Sequence, residues 1–305
     1  MIRIKLQVDL AYTVNGPGGD FLFNIHAAHT RHQTVQDETL VITQQQGSAS
    51  VPVPGRLSTD PVTGTRCLRL HVGPGPLQLA YAATVDMRHD VADPARIPEV
   101  PVRELPDDVL QYIYPSRYCQ SDQLTTLAFR EFGHLWQGYS RVQAIRDWVH
   151  GHVEFRSNTS TSATSALDTF VQRMGVCRDF AHLMIAICRA LSIPARFVTG
   201  TDYGADPALG PPDFHAYVEA YLGGRWYLFD PSGTAIPMGM IRLATGRDAA
   251  DVAFATIFGT VATEAPKILA WAVQDPSRGF ELPHHSSLAL STDGPAPERG
   301  QLLAR

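Results

Sequence analysis

Four cysteines in 305 residues, at 67, 119, 177 and 188, are too few and too dispersed for a disulfide framework, and no C-x-x-C pair offers a zinc half-site. The expectation is a cytoplasmic protein with free thiols, each needing its own explanation. Charge is sparse too: charged residues are 18% of the chain, with 25 Lys plus Arg against 30 Asp plus Glu and a formal charge of −5. No Lys/Arg run could neutralise a phosphate backbone, so nucleic acid is not an expected partner. The most apolar helical stretch, 183–193, is broken by Arg189 and falls far short of the roughly 20 residues that cross a bilayer. Residues 2–8 alternate apolar and polar and lack the apolar core of a secretory signal, so neither a membrane span nor export by that route is expected. What is present is hydrophobic residues at 44%, enough for a globular chain, and a length that suggests about two domains.

Up to about residue 100 the pattern is strands and turns. Strands are expected over 2–12, 38–43, 66–72 and 77–87, separated by turn clusters such as 15–19 and 73–76. This predicts an N-terminal antiparallel β-sandwich or open barrel over 1–105. Prolines at 94, 98, 101 and 106 interrupt regular structure and mark a linker. Beyond it the period becomes helical. Residues 140–150 place Val142, Ile145, Trp148 and Val149 on one face, with Ser140 positioned as a cap. A polar loop, 156–165, leads to a short helix over 166–174 that Gly175 ends. From Cys177, the positions 180, 183, 184, 187 and 191 form one buried stripe that Pro194 terminates. Strands follow over 195–199 and 215–222, then a third after a turn. The chemistry is placed in a core over 106–275, and 276–305 reads as a mobile tail.

Cys177 falls in the first turn of its helix, where unpaired N–H groups and the macrodipole favour thiolate. A nucleophilic thiol needs a base, and the base needs an orienting acceptor. Gly223-Gly224 is a two-residue hairpin signal, which makes 222 face 225 and paired numbers sum to 447. His215, Tyr217, Asp230 and Ser232 then share the more polar face, with Asp230 diagonal to His215 at roughly 7–8 Å between backbones. The other face collects Ala216, Val218, Ala220, Leu222, Tyr227 and Phe229 as core. A slip of one residue would send Asp230 to that opposite face.

These segments, Gly-Val-Cys-Arg-Asp-Phe-Ala-His-Leu at 175–183, Cys-Arg-Ala-Leu-Ser-Ile-Pro-Ala-Arg at 188–196, His-Ala-Tyr-Val-Glu-Ala-Tyr at 215–221 and Trp-Tyr-Leu-Phe-Asp-Pro-Ser at 226–232, closely resemble the bacterial transglutaminase-like family, whose members are often labelled cysteine proteases. The β-rich beginning, Pro-Ser-Arg-Tyr-Cys at 115–119 and the segment 246–252 are similar to the same family. The resemblance implies an α+β fold: an N-terminal antiparallel β-sandwich followed by a papain-like transglutaminase core, with the Cys helix packed on an antiparallel sheet. It also implies a triad of Cys177, His215 and Asp230, acting through a thioester on peptide or carboxamide bonds of a peptide or protein substrate. Hydrolysis is the leading expectation. The alternatives are protein crosslinking, or a non-catalytic peptide-binding module on the same fold.

The Cys177 N–H is the expected first oxyanion donor. Trp148 and Gln172 echo oxyanion residues of eukaryotic transglutaminases and papain-like enzymes, but helical packing explains the former and the spacing does not suit the latter. Asp179 is explained by the helix dipole and His182 by burial, with Cys119 and Cys188 as packed thiols. His26, His29 and His32 cannot converge on either a strand or a helix, so a polar loop is expected and no metal. No D-x-[DN]-x-[DN]-G loop suggests calcium, and no cofactor is implied.

Overall fold

Strict alternation makes β1 (Ile2–Val14) a strand with Ile2, Ile4, Leu6, Val8, Leu10, Tyr12 and Val14 all buried on one face. The computed structural model describes residues 1–201, 203–206, 208 and 213–292. After β1 come β2 (Gly19–Phe23), β3 (Gln33–Gln46), β4 (Ala49–Pro52), β5 (Arg56–Thr59), β6 (Arg66–Val72), β7 (Gly75–Met87) and β8 (Asp90–Ala92). The middle of the chain holds α1 (Thr125–Phe132), α2 (Tyr139–His152), β9 (Glu154–Phe155), α3 (Ala166–Gln172), β10 (Met174–Gly175) and α4 (Cys177–Ala190). Then follow β11 (Ala195–Thr201), β12 (Phe214–Leu222), β13 (Arg225–Phe229), β14 (Ile241–Gly246), α5 (Ala249–Val252), β15 (Ala255–Phe258), β16 (Val261–Thr263), β17 (Lys267–Ala272) and β18 (Ala289–Ser291).

The protein is α+β, as expected, and begins with a sandwich of two antiparallel sheets. One runs β16-β1-β7-β3-β4, with β17 also on β1; the other runs β15-β2-β6-β5. Their facing side chains share one core in which Phe21 and Phe23 stack at 5.5 Å beside Tyr12. Each such fully buried side chain contributes about 1.5–3 kcal/mol.

Two expected boundaries differ. The sandwich is not closed by residues 1–105: β15, β16 and β17 return from 255–272 to complete both sheets, and β17 pairs with β1 from Ile4↔Ala272 to Asp9↔Lys267. The reason is that β1 pairs with β7 on one side only, and its other edge must also be satisfied. Nor is 276–292 a loose tail. Phe280 is buried under the Arg3 guanidinium at 4.0 Å, the Glu281 N–H donates to the Met1 carbonyl at 3.0 Å, and β18 pairs with β8. Residues 293–305 lie outside the described residues.

The proline-rich linker is a fixed strap of two 3-10 turns, 94–96 and 102–104. Arg141 grips Glu99 with both guanidinium arms, and the Ile97 carbonyl accepts from Tyr139 N–H at 3.0 Å. That bond displaces the expected cap. α2 starts one residue before Ser140, after Gly138, because buried Tyr139 is drawn into the first turn against Phe229.

A third sheet, β13-β12-β11-β14, carries α4 on one face. Ala216, Val218, Ala220, Leu222, Tyr227 and Phe229 meet Phe180, Leu183, Met184 and Ile187 there, the face expected to be core. The opposite face is more polar but is also closed. It holds buried Glu219 between Arg196 and Arg242, and Tyr217 packs with Val198, Leu228, Ala235 and Met240. Among the described residues no helix is long and apolar enough to cross a membrane.

Candidate active site

The hairpin sets the site's register. Pairs run from Leu222↔Arg225 to Val218↔Phe229 across Gly223 and Gly224, both at positive φ, the conformation a two-residue turn requires. Asp230 follows at the end of β13, and His215 stands near the start of β12 opposite Gly200 of β11. A Cβ on Gly200 would come within 2.6 Å of the Ile241 carbonyl and 2.9 Å of the Tyr217 ring, so β11 can present only a bare backbone between its two neighbours here.

The structure brings the three predicted residues together. His215 Nε2 lies 3.3 Å from Asp230 Oδ1, off the line of an ideal hydrogen bond, with both side chains 3% exposed. The Cys177 thiol is near enough to the same imidazole to favour its charged form, and it sits 4.0 Å from the Phe214 carbonyl. Cys177 is only partly buried, whereas Cys119 and Cys188 are sealed in the core. Burial pushes the Cys119 thiol up to about 12 and the Cys188 thiol upward as well, so neither is a usable nucleophile near neutrality.

Electrostatics hold the pair in its charged form. Burial disfavours charge on His215, but the Asp230 carboxylate, aided by the Cys177 contact, overrides it and keeps the ring protonated well above the ordinary imidazole range. Burial likewise works against Asp230. The His215 charge and the donors around the carboxylate win, and its proton affinity falls below the usual range. Those donors are local: Oδ1 accepts from Ser232 Oγ at 2.7 Å and Ser232 N–H at 3.0 Å, and Oδ2 from Ala235 N–H at 3.3 Å. They are what aims the carboxylate. The period-two rule places Ser232 on the sheet face of His215, but β13 ends at Phe229, and Ser232 instead turns to bond the Asp230 carboxylate.

The remaining candidates separate cleanly. Trp148 stacks on His152 at 4.3 Å and meets Phe132 edge-on at 6.0 Å, so it packs helices together. Gln172 is exposed at the end of α3. His182 is buried between Tyr118 and Phe197, and its Nε2 accepts from Ala249 N–H at 3.2 Å. His26 is buried against Tyr81, its ring held neutral down to about 4 chiefly by burial, while His29 is exposed. No group of three His, Cys, Asp or Glu side chains among the described residues could hold a metal ion. Asp179 does more than face a dipole: its Oδ2 accepts from Val176 N–H at 2.9 Å, immediately before the thiol. An acidic residue two positions past a helix-start cysteine is the signal that could have found it.

Comparison with known proteins agrees with this architecture. The transglutaminase-like superfamily model matches residues 129–231, and the bacterial transglutaminase N-terminal domain model matches residues 2–108. A crystal structure from Cytophaga hutchinsonii, provisionally named a cysteine protease, is 40% identical, covers 95% of this chain and 97% of its own, and superposes with a TM-score of 0.84. An uncharacterized protein of Mycobacterium leprae is 30% identical over 152 residues, 48% of this chain and 53% of that protein. Another, of Mycobacterium tuberculosis, is 33% identical over 125 residues, 36% of this chain and 40% of its own. The match thus spans little more than half the length of these two relatives, or less. With its sandwich, its Cys helix and its antiparallel hairpin sheet all matched, the chain belongs to the bacterial transglutaminase-like family.

Proposed function

We propose that this protein is a cysteine-nucleophile acyl-transfer enzyme acting on peptide or carboxamide bonds, with hydrolysis as its outcome. The observation that carries the reading is the buried His215–Asp230 pair, with His215 Nε2 3.3 Å from the carboxylate and the Cys177 thiol near enough to favour the ring's charge. In this reading the Cys177 sulfur attacks the carbonyl carbon and forms a C–S bond. The carbonyl electron pair moves to oxygen, where the Cys177 N–H, a first-turn donor of α4, meets it. His215 passes its proton to the leaving nitrogen as the C–N bond breaks, which leaves a thioester and a neutral imidazole. Water then gives a proton to His215 and adds to the thioester, and thiolate departs with the acid product released. Asp230 holds the ring and stabilises its charged state throughout.

The four unpaired cysteines favour a reducing, cytoplasmic setting, and the substrate class is peptide or protein. Incubating the protein with Gln-containing peptides, with and without a primary amine, and weighing the products tests the reading. The mass change of hydrolysis supports it, and an amine adduct moves the outcome to crosslinking. An unchanged peptide panel, together with an unreactive Cys177, rejects acyl transfer in favour of a peptide-binding module.

A further inference from the structure

The start of the Cys helix is tied to a loop that the three reacting groups do not involve. Asp179 is fully buried, and its two oxygens are divided between neighbours: Oδ2 accepts from Val176 N–H at 2.9 Å and Oδ1 from Ser160 Oγ at 2.8 Å. Arg178 closes the cluster by donating through Nη2 to Ser160 Oγ and the Thr161 carbonyl, and its guanidinium lies 3.5 Å from Asp179 Oδ1. Ser160 and Thr161 belong to the stretch 156–165, in which Ala163 is the one apolar side chain. Such a segment has little hydrophobic area with which to dock, so polar bonds must seat it. A buried carboxylate costs several kcal/mol unless paired and bonded, far more than a surface cap would. What that cost supports here is the backbone immediately before Cys177.

We propose that Asp179 is a positioning residue: through Ser160 and Arg178 it seats the 156–165 loop on α4, and through Val176 N–H it holds Cys177 where the thiol meets His215. The inference rests on the reading of Cys177 as nucleophile. It assigns the loop a part in the chemistry, since displacing the loop displaces the sulfur.

The test measures the second-order rate of Cys177 carboxamidomethylation at pH 7 by mass spectrometry, with thermal unfolding in parallel, on the full chain. Ser160→Ala should slow labelling about threefold and Asp179→Ala about tenfold, the range one or two lost hydrogen bonds produce. Asp179→Asn keeps an acceptor for Val176 N–H and a partner for Ser160, and should stay within about twofold of wild type. Asp86→Ala is the control for stability alone: Asp86 accepts from the Arg3 guanidinium at 2.6 Å within the N-terminal sandwich and has no bond to the loop, and its loss should lower the melting temperature without changing the rate. Ser160→Ala and Asp179→Ala proteins that label at the wild-type rate overturn the proposal, and Ser160→Ala decides alone if Asp179→Ala does not fold. Asp179→Asn as slow as Asp179→Ala also overturns it, because charge and not the bond would then matter. A wild-type Cys177 no faster than Cys67 removes the nucleophile reading, and the positioning role falls with it.

Discussion

Gly175 leaves open the space that Asp179 fills. A Cβ at 175 would stand 2.7 Å from the Asp179 Cβ and 2.9 Å from its Oδ2, so the carboxylate reaches Val176 N–H only because residue 175 has no side chain. Gly175→Ala should therefore destabilise the fold by about 1–3 kcal/mol, the usual cost of overpacking. It should also slow Cys177 labelling, read by mass spectrometry beside a denaturant titration. An alanine variant with wild-type stability and labelling would mean that α4 shifts freely.

The four thiols should label in a fixed order. Cys177, partly exposed beside His215, should react with iodoacetamide at neutral pH faster than Cys67, with Cys119 and Cys188 slowest because both are sealed in the core. His215→Ala should slow Cys177 and abolish turnover, and Cys177→Ala should abolish it outright. Equal labelling of all four sites would contradict the arrangement.

Asp230 should matter less than Cys177 for turnover, since it orients and does not bond to substrate. Asp230→Asn is expected to lose about 10²- to 10⁴-fold in kcat/KM, measured on whichever peptide the wild type cleaves. Unchanged kinetics would show that Ser232 or another group orients the ring instead.

The same variant carries a pH signature. His215 is raised in the folded state, so its contribution to stability is complete below its unfolded value of 6.5 and fades as pH rises through the higher folded value. Asp230 is lowered, so its contribution is present above 3.8 and fades as pH falls through the lower folded value. The melting-temperature gap between wild type and Asp230→Asn should be widest between 3.8 and 6.5, narrowing in alkali and in strong acid. A gap that is flat across pH would mean that the two groups do not titrate as a pair.

Trp148 serves packing, so Trp148→Phe should lower stability by about 1–2 kcal/mol through lost area and stacking while leaving kcat unchanged. A large fall in kcat at unchanged stability would instead make its indole a donor to the reacting oxygen.

Local patterning made several elements readable. The alternation of β1 and the Gly223-Gly224 turn each depend on neighbours in the chain and appear as the pattern required, whereas α4 stops short of Pro194 as expected but is buried on every face from Asp179 to Arg189, not along the one expected stripe. Other elements could not be read that way. β2 is short and follows a glycine cluster, and α1 is only 8 residues long. In β17 the larger side chains Leu269 and Trp271 point outward while Ile268 alone is deeply buried, the reverse of what a strand closing a sandwich suggests. Ser160 looks like any other residue of a polar loop until Asp179 is seen to need it.

By itself the amino-acid order determined which residues could do chemistry and the register that sends His215 and Asp230 to one side of a sheet, because turn type and period two act over a few residues. Tertiary structure alone decided that strands from 255–272 close the N-terminal sandwich, that 276–292 is pinned, and that the buried Asp179 carboxylate bonds a polar loop to the start of the Cys177 helix. Those outcomes depend on unsatisfied edges and buried polar atoms finding partners far along the chain, and nothing in local sequence records which partner is found.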